Sequence, residues 1–187
     1  LESAAEFAPD NVQVRIDYIR TLRKRQKFAA AFEQARRLLA TAPENPQFQS
    51  LYAIECMQTG DYEAALAAFD KILRRLPGDA TTLTSRGHAL KTCGQFDQAV
   101  ASYQSALASN PQHAEAWHSL ANLKTYRFSA ADMAAMAELA ADNNLSFMDR
   151  VYVAFALGKA CEDAGDYRAS FEHYARGNQL KKNQSRY

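Results

Sequence analysis

Apolar and small residues recur at three- and four-residue steps through "TTLTSRGHALKTC" (81–93) and again through "FDQAVASYQSAL" (96–107), the period of helices that bury one face. Gly94 parts the two stretches and "SNPQ" follows the second, so the segment predicts helix, tight turn, helix and stop. The pattern returns at a fixed interval. Pro9, Pro43, Pro77 and Pro111 stand 34 residues apart, and so do Gln26, Gly60 and Gly94, Phe28, Tyr62 and Phe96, and Ala31, Ala65 and Ala99. Four sets of positions with one period predict a tandem array of antiparallel helix pairs.

Each marked residue type has a mechanical role. Glycine reaches the left-handed turn between paired helices without a Cβ clash, alanine lets the second helix come close to the first, and proline ends the unit because it cannot continue the hydrogen-bond ladder. Phe28, Tyr62, Phe96 and Tyr167, with Trp117, are expected to be core between helices, and Cys56, Cys93 and Cys161 small packing residues. The period sets regular repeats at 12–45, 46–79 and 80–113, an atypical repeat at 114–150 and a final one at 151–184, after the tail of a truncated repeat at 1–11. The fourth unit breaks the pattern. Phe128 replaces the turn glycine, Leu145 replaces the proline, and Gly165 follows Gly94 by 71 residues where two periods would give 68. Ser129 with Asp132 and Ser146 with Asp149 have N-cap spacing, so two helices with a longer join are expected there.

At 48% hydrophobic and 23% charged, the 187 residues have an ordinary soluble composition, which argues against disorder. No stretch approaches the about 20 apolar residues that span a bilayer, and "LESAAEFAPD" lacks the basic and apolar segments of a secretion signal. An odd cysteine count without a C-x-x-C pair fits reduced thiols, and together these features predict a cytoplasmic protein that does not engage a membrane. The formal net charge of +1 hides a local excess: residues 12–45 carry eight cations against Asp17, Glu33 and Glu44, a surplus of +5, while 46–79 sum to −2. Arg20, Arg23, Lys24 and Lys27 gather on one helical face by their i, i+3, i+4, i+7 spacing. That face is either solvated surface or an end of a groove that attracts an acidic peptide or a sulfated or phosphorylated glycan. Nucleic acid is not expected, because exposed aromatics do not interleave with the cations and the stripe does not continue.

Catalytic signatures are missing from the chain. It contains no Gly-rich phosphate loop, G-x-S-x-G or H-E-x-x-H motif, and His88, His113, His118 and His173 have no adjoining cysteine or carboxylate cluster. Neither a catalytic nor a metal site is expected.

The spacing of Ala65, Phe69 and Pro77, of Ala99, Tyr103 and Pro111, of Trp117 and Leu120, and of Leu157 and Gly158 resembles the tetratricopeptide repeat. The resemblance covers nearly the whole chain. It implies an all-α, right-handed superhelix (α-solenoid) of antiparallel helix pairs, whose concave face is lined by the first helix of every repeat and holds an extended peptide or partner helix. Helical spacing puts Arg20, Arg23 and Lys24 on that face, then Ile54, Met57 and Gln58, then Thr84, His88 and Lys91, and finally His118, Asn122, Thr125 and Tyr126. The implied partner is a protein or peptide, acidic where it meets the basic end. The Lys and Asn set with which chaperone adaptors of the family grip a terminal carboxylate is missing, since Ile16 and Arg20 occupy the matching helix.

Within the C-terminal third, "NLKTYRFS", "FALGKA" and "HYARGN" resemble the region that joins the repeats to the catalytic domain in bacterial tetratricopeptide-repeat sulfotransferases. This implies the non-catalytic, recruiting portion of a larger enzyme. Its activated-sulfate donor would be held by a Ser/Thr-Gly phosphate loop in a following domain, and no cofactor is expected in the present chain. The other reading is a free-standing interaction scaffold with no enzymatic domain in cis.

Overall fold

The structure, a computed structural model, describes residues 11–184. The expected tail of a truncated repeat therefore lies, but for residue 11, outside the described residues. Ten helices occur among them: α1 (Val12–Lys24), α2 (Phe28–Thr41), α3 (Pro46–Thr59), α4 (Tyr62–Arg75), α5 (Ala80–Thr92), α6 (Phe96–Ser109), α7 (Ala114–Ala121), α8 (Ala130–Ala141), α9 (Phe147–Asp163) and α10 (Tyr167–Gln184). The chain divides into two compact units, Leu1–Gly94 with α1 to α5 and Gln95–Tyr187 with α6 to α10.

Side chains at the helix starts satisfy amides that the helix itself leaves unbonded. Asn11 accepts from Val14 N, Asp61 from Ala64 N and Asp79 from Thr82 N, while Asn45 accepts from Gln47 N just ahead of Pro46. Ser129 and Asp132 form a reciprocal capping box, and Ser146 accepts from Asp149 N, so both helices expected in the irregular unit are present. Three of the turns between paired helices share one geometry. Lys27 N donates to Leu22 O, Asp61 N to Cys56 O and Asp166 N to Cys161 O, each at 2.9 Å, closing Schellman-type ends. Gly60 and Gly165 supply the left-handed residue in two of these turns, and Gln26 is driven to φ 58 in the third. The shared lattice position thus records a backbone requirement, and the glutamine meets it at a steric cost.

In the first unit α1 packs on α2, α2 on α3, α3 on α4 and α4 on α5, so α2 and α4 are covered on two sides. One core cluster joins Ile16, Ile19 and Leu22 to Ala31, Ala35, Leu38, Phe48 and Leu51. A second joins Ala53 and Cys56 to Ala65, Ala68, Phe69, Ile72 and Ala89. Ala65 has no exposed surface, as close approach of α4 to α3 requires. Burying a side chain the size of Phe69 contributes about 1.5–3 kcal/mol.

In the second unit α9 is central, packing on α7, α8 and α10. That explains why Val151, Val153, Ala154, Ala156, Leu157, Ala160 and Cys161 are all buried and why the helix has no single apolar stripe. Gly158 is where α10 comes nearest: a Cβ there would lie 2.8 Å from the Tyr174 ring, and Ser170 Oγ donates to the Gly158 carbonyl at 2.8 Å. One bond recurs in both units at the same place in the period. Gln49 Nε2 donates to the Pro43 carbonyl at 2.7 Å, and the indole Nε1 of Trp117 donates to the Pro111 carbonyl at 3.0 Å.

Two expectations need correction. Phe96 is 55% exposed and Tyr167 73% exposed, not core, and Phe28 and Tyr62 are only half-buried. Each is the first residue of its helix, and Tyr62 still packs on the second core cluster. The first helix of the fourth unit also ends early, at Ala121, because the chain turns outward through Asn122 and Leu123 to a left-handed Lys124 at φ 62.

Candidate functional site

In the first unit Arg20, Arg23 and Ile54 come together at one pocket. A pocket of about 180 Å³ lies between α1 and α3, lined by Ile16, Arg20, Arg23, Gln47, Ser50, Leu51 and Ile54. Lys24 and Gln58 are exposed, and Met57 packs against the second core cluster. His88 and Lys91 are half-buried on α5. Thr84 is 1% exposed and cannot line a groove. The reason is that α5 is covered by both α4 and α3, so its buried face is wider than one stripe and takes in Thr82, Leu83, Thr84 and Gly87.

Several cations of the basic face are compensated. Arg20 pairs with Asp17 at 3.4 Å, and Lys27 stands beyond the end of α1. Arg36 and Arg37 both bond Glu33 at 3.0 Å, and hydrogen bonds from the two guanidiniums hold its carboxyl down to about 2. Arg23 lies 3.4 Å from Glu55, whose side chain has no exposed surface and whose two oxygens accept no hydrogen bond. Burial pushes the Glu55 carboxyl up, and the nearby Arg23 charge offsets this only in part.

In the second unit His118 and Asn122 line a pocket of about 400 Å³ with Ala121, Lys124, Phe155, Lys159, Glu162 and Tyr174. Asn122 Nδ2 lies 3.1 Å from His118 Nδ1, and the His118 ring is 4.8 Å from that of Tyr152. Tyr174 donates to Glu162 Oε2 at 3.1 Å; burial, then this carboxylate neighbour, push the phenol up to about 12. Asp163 accepts from Lys159 and from Arg127 at 2.8 Å. Burial alone would raise the Asp163 carboxyl, but the two cations outweigh it and leave it lowered. Thr125 and Tyr126, expected on a helix face, lie past the end of α7, where the Tyr126 hydroxyl is 3.3 Å from Gln104 Nε2 and its ring stands edge-on to Phe128 at 5.0 Å.

Phe155, Lys159 and Glu162 escaped the sequence reading, yet the signal was there. They stand 37 residues after His118, Asn122 and Thr125, one period plus the three inserted residues. Tyr174 could not be found that way, because it comes from the second helix of its pair. Among the described residues no group of three His, Cys, Asp or Glu side chains is placed to hold a metal ion, and no helix is long and apolar enough to cross a membrane. Cys56 and Cys161 are buried, Cys93 is exposed, and burial pushes the first two thiols up, away from nucleophilic thiolates.

Residues 19–80 match a family model described as tetratricopeptide repeat, and residues 87–124 match one described as TPR repeat, together more than half of the 187 residues. The chain belongs to the tetratricopeptide-repeat family. Solved structures agree on the fold. A putative kinesin light chain with nearly identical TPR-like repeats from Podosopora anserina is similar with a TM-score of 0.65 at 14% identity, over 96% of this chain and 99% of that one. MamA from Desulfovibrio magneticus RS-1 gives 0.60 at 17% identity, over 95% and 98%. The C-terminal part of a TPR repeat-containing protein from Cytophaga hutchinsonii gives 0.60 at 17% identity, over 90% and 65%. At such identities the likeness shows the helix-pair fold alone. No curated protein matches the chain.

Proposed function

We propose that this chain is a non-catalytic partner-binding module that takes an extended, acidic protein segment on the α1 and α3 side of its first unit. The observation that carries the reading is the pocket in which Arg20 and Arg23 stand beside Ile54 and Leu51, two cations next to an apolar floor. An acidic side chain flanked by an apolar one satisfies both. Focused positive potential would speed encounter, and screening would weaken binding as salt rises. To test it, Arg20, Arg23 and Lys24 are replaced by Gln and binding of an acidic peptide is titrated against ionic strength. Wild-type affinity should fall steeply with salt while the variant stays weak throughout; equal, salt-insensitive binding by both would leave the basic face as solvated surface.

The same reading makes the module the recruiting portion of a bacterial, cytoplasmic sulfotransferase. Its support is the similarity of "NLKTYRFS", "FALGKA" and "HYARGN" to the joining region of that family. The donor of activated sulfate would then bind in another domain of the same polypeptide. Reading the coding sequence beyond Tyr187 tests this part: a Ser/Thr-Gly phosphate loop supports it, and a continuation without one favours a free-standing scaffold.

A further inference from the structure

A charge shut away from water needs partners, and those of Glu55 on α3 are sparse. Its side chain has no exposed surface, neither oxygen accepts a hydrogen bond, and the Arg23 guanidinium of α1 lies 3.4 Å away. Arg23 is itself 28% exposed and lines the α1 and α3 pocket beside Ile54, the residue before Glu55. The guanidinium therefore stands between a dry carboxyl and the open pocket.

The other charges around α3 are engaged elsewhere or act on other groups. On α1, Asp17 pairs with Arg20 at 3.4 Å, and Lys24 is exposed. α2 carries Arg36 and Arg37, both bonded to Glu33, and Arg36 acts on the Tyr52 phenol. Tyr52 and Cys56, one turn apart on α3, hydrogen-bond to each other, and Asp61 ahead of α4 acts on both. Glu63 on α4 is exposed. α5 carries Arg86, bonded to Asp70 of α4 at 2.8 Å, and the half-buried His88 and Lys91. Arg23 is the charge that acts on the Glu55 carboxyl, and burial outweighs it, so the carboxyl stands above its ordinary value.

We propose that docking of an acidic segment in the α1 and α3 pocket is coupled to uptake of a proton by Glu55, so that the site binds more tightly as its surroundings acidify. The coupling presupposes the docking proposed above for that pocket. An anion that pairs with Arg23 can draw the guanidinium away from Glu55 or share it. The first removes the cation that keeps the carboxylate ionised, and the second sets a further negative charge near it. Both favour the protonated carboxyl, so the sign of the coupling is the same either way. By reciprocity, a proton on Glu55 frees Arg23 for the incoming anion and raises affinity. Carboxylates of the docking segment act in the opposite sense, since they lose charge as pH falls.

Titration calorimetry tests the coupling with a peptide of alternating aspartate and leucine, from about pH 5.5 to about pH 8, in buffers of different protonation heat. Wild type should take up protons on binding, and its affinity should rise as pH falls, by at most about tenfold per pH unit for one proton. Glu55→Met and Glu55→Gln imitate the protonated state. Both should bind more tightly than wild type at about pH 8, converge with it on acidification, and take up fewer protons. The same histidines are present in all three chains, so their contribution cancels in the difference, and circular dichroism checks that each chain is folded at each pH. Binding by wild type with the proton count and pH profile of the two variants overturns the coupling and leaves the docking in place. No binding by any of the three overturns the docking, and the coupling with it.

Discussion

Glu55 sits at the place where α3 meets the preceding helix pair, with its carboxyl out of water and no hydrogen bond to either oxygen. Its carboxyl is raised from the ordinary value of 4.5, chiefly by burial. The folded state therefore holds the proton to higher pH than the unfolded chain does, and stability falls as pH rises from about 4.5 through the raised folded value. Methionine fills similar space without a charge to desolvate. Arg23, its side chain 28% exposed, can still be solvated once its partner is gone. Glu55→Met should therefore stabilise the chain by about 1–3 kcal/mol at pH 7, with the gain shrinking toward pH 4.5. Urea unfolding across that range checks it, and parallel pH profiles for the two proteins would mean that the carboxyl is solvated. Gln26 makes a related point about legibility. The sequence puts it on the glycine lattice, and the structure shows that the turn forces the residue there into the left-handed region whichever side chain it has.

Helices pair through small residues, but the small residue differs between units. Ala65 fills that place in α4, whereas in the last pair the serine of α10 bonds back to α9 at Gly158. A methyl group at Gly158 would meet three carbons of the Tyr174 ring at 2.8–3.0 Å, inside any normal contact. Tyr174 is itself held by Glu162, so the ring has little freedom to yield. Gly158→Ala should cost about 1–3 kcal/mol by overpacking, although alanine favours the helix. Gly177→Ala is the control, because its new methyl would meet the Phe155 ring at 3.2 Å and Phe155 is only half-buried. Thermal midpoints measure the difference; equal losses at the two glycines would contradict this packing.

At the scale of the molecule, stability is unevenly spread. α8 rests on α9, and its buried residues are Met136 and Leu139 alone among those described, whereas α3 and α5 are enclosed by neighbours. The segment from Asn122 to Ser129 that leads to α8 is held mainly by side chains instead of a helical backbone ladder: Arg127 reaches Asp163 at 2.8 Å, Tyr126 lies 3.3 Å from Gln104, Phe128 is 6.1 Å from Trp117, and a capping box closes the end at Ser129. Local opening should follow that distribution. Amide hydrogen exchange is expected to be faster across α8 and residues 122–129 than across α3 and the turn at Gly60. Uniform protection of those regions would show that the inserted unit is as firmly held as the regular ones.

Periodicity determined the helix pairs, their turns and their small-residue contacts, because each depends on a local backbone requirement that a single residue type meets every 34 positions. The second-unit pocket was within reach of the same rule once the three-residue insertion was added to the period. Tertiary structure alone decided that Thr84 is buried, that Glu55 lies dry beside Arg23, that α7 stops at Ala121, and that Tyr167 and Phe171 stay in water. Each of these depends on how many neighbouring helices cover a face and on which side they lie. Identical spacing on α4 and α10 carries no record of that, since the covering surface is contributed by residues of other helices.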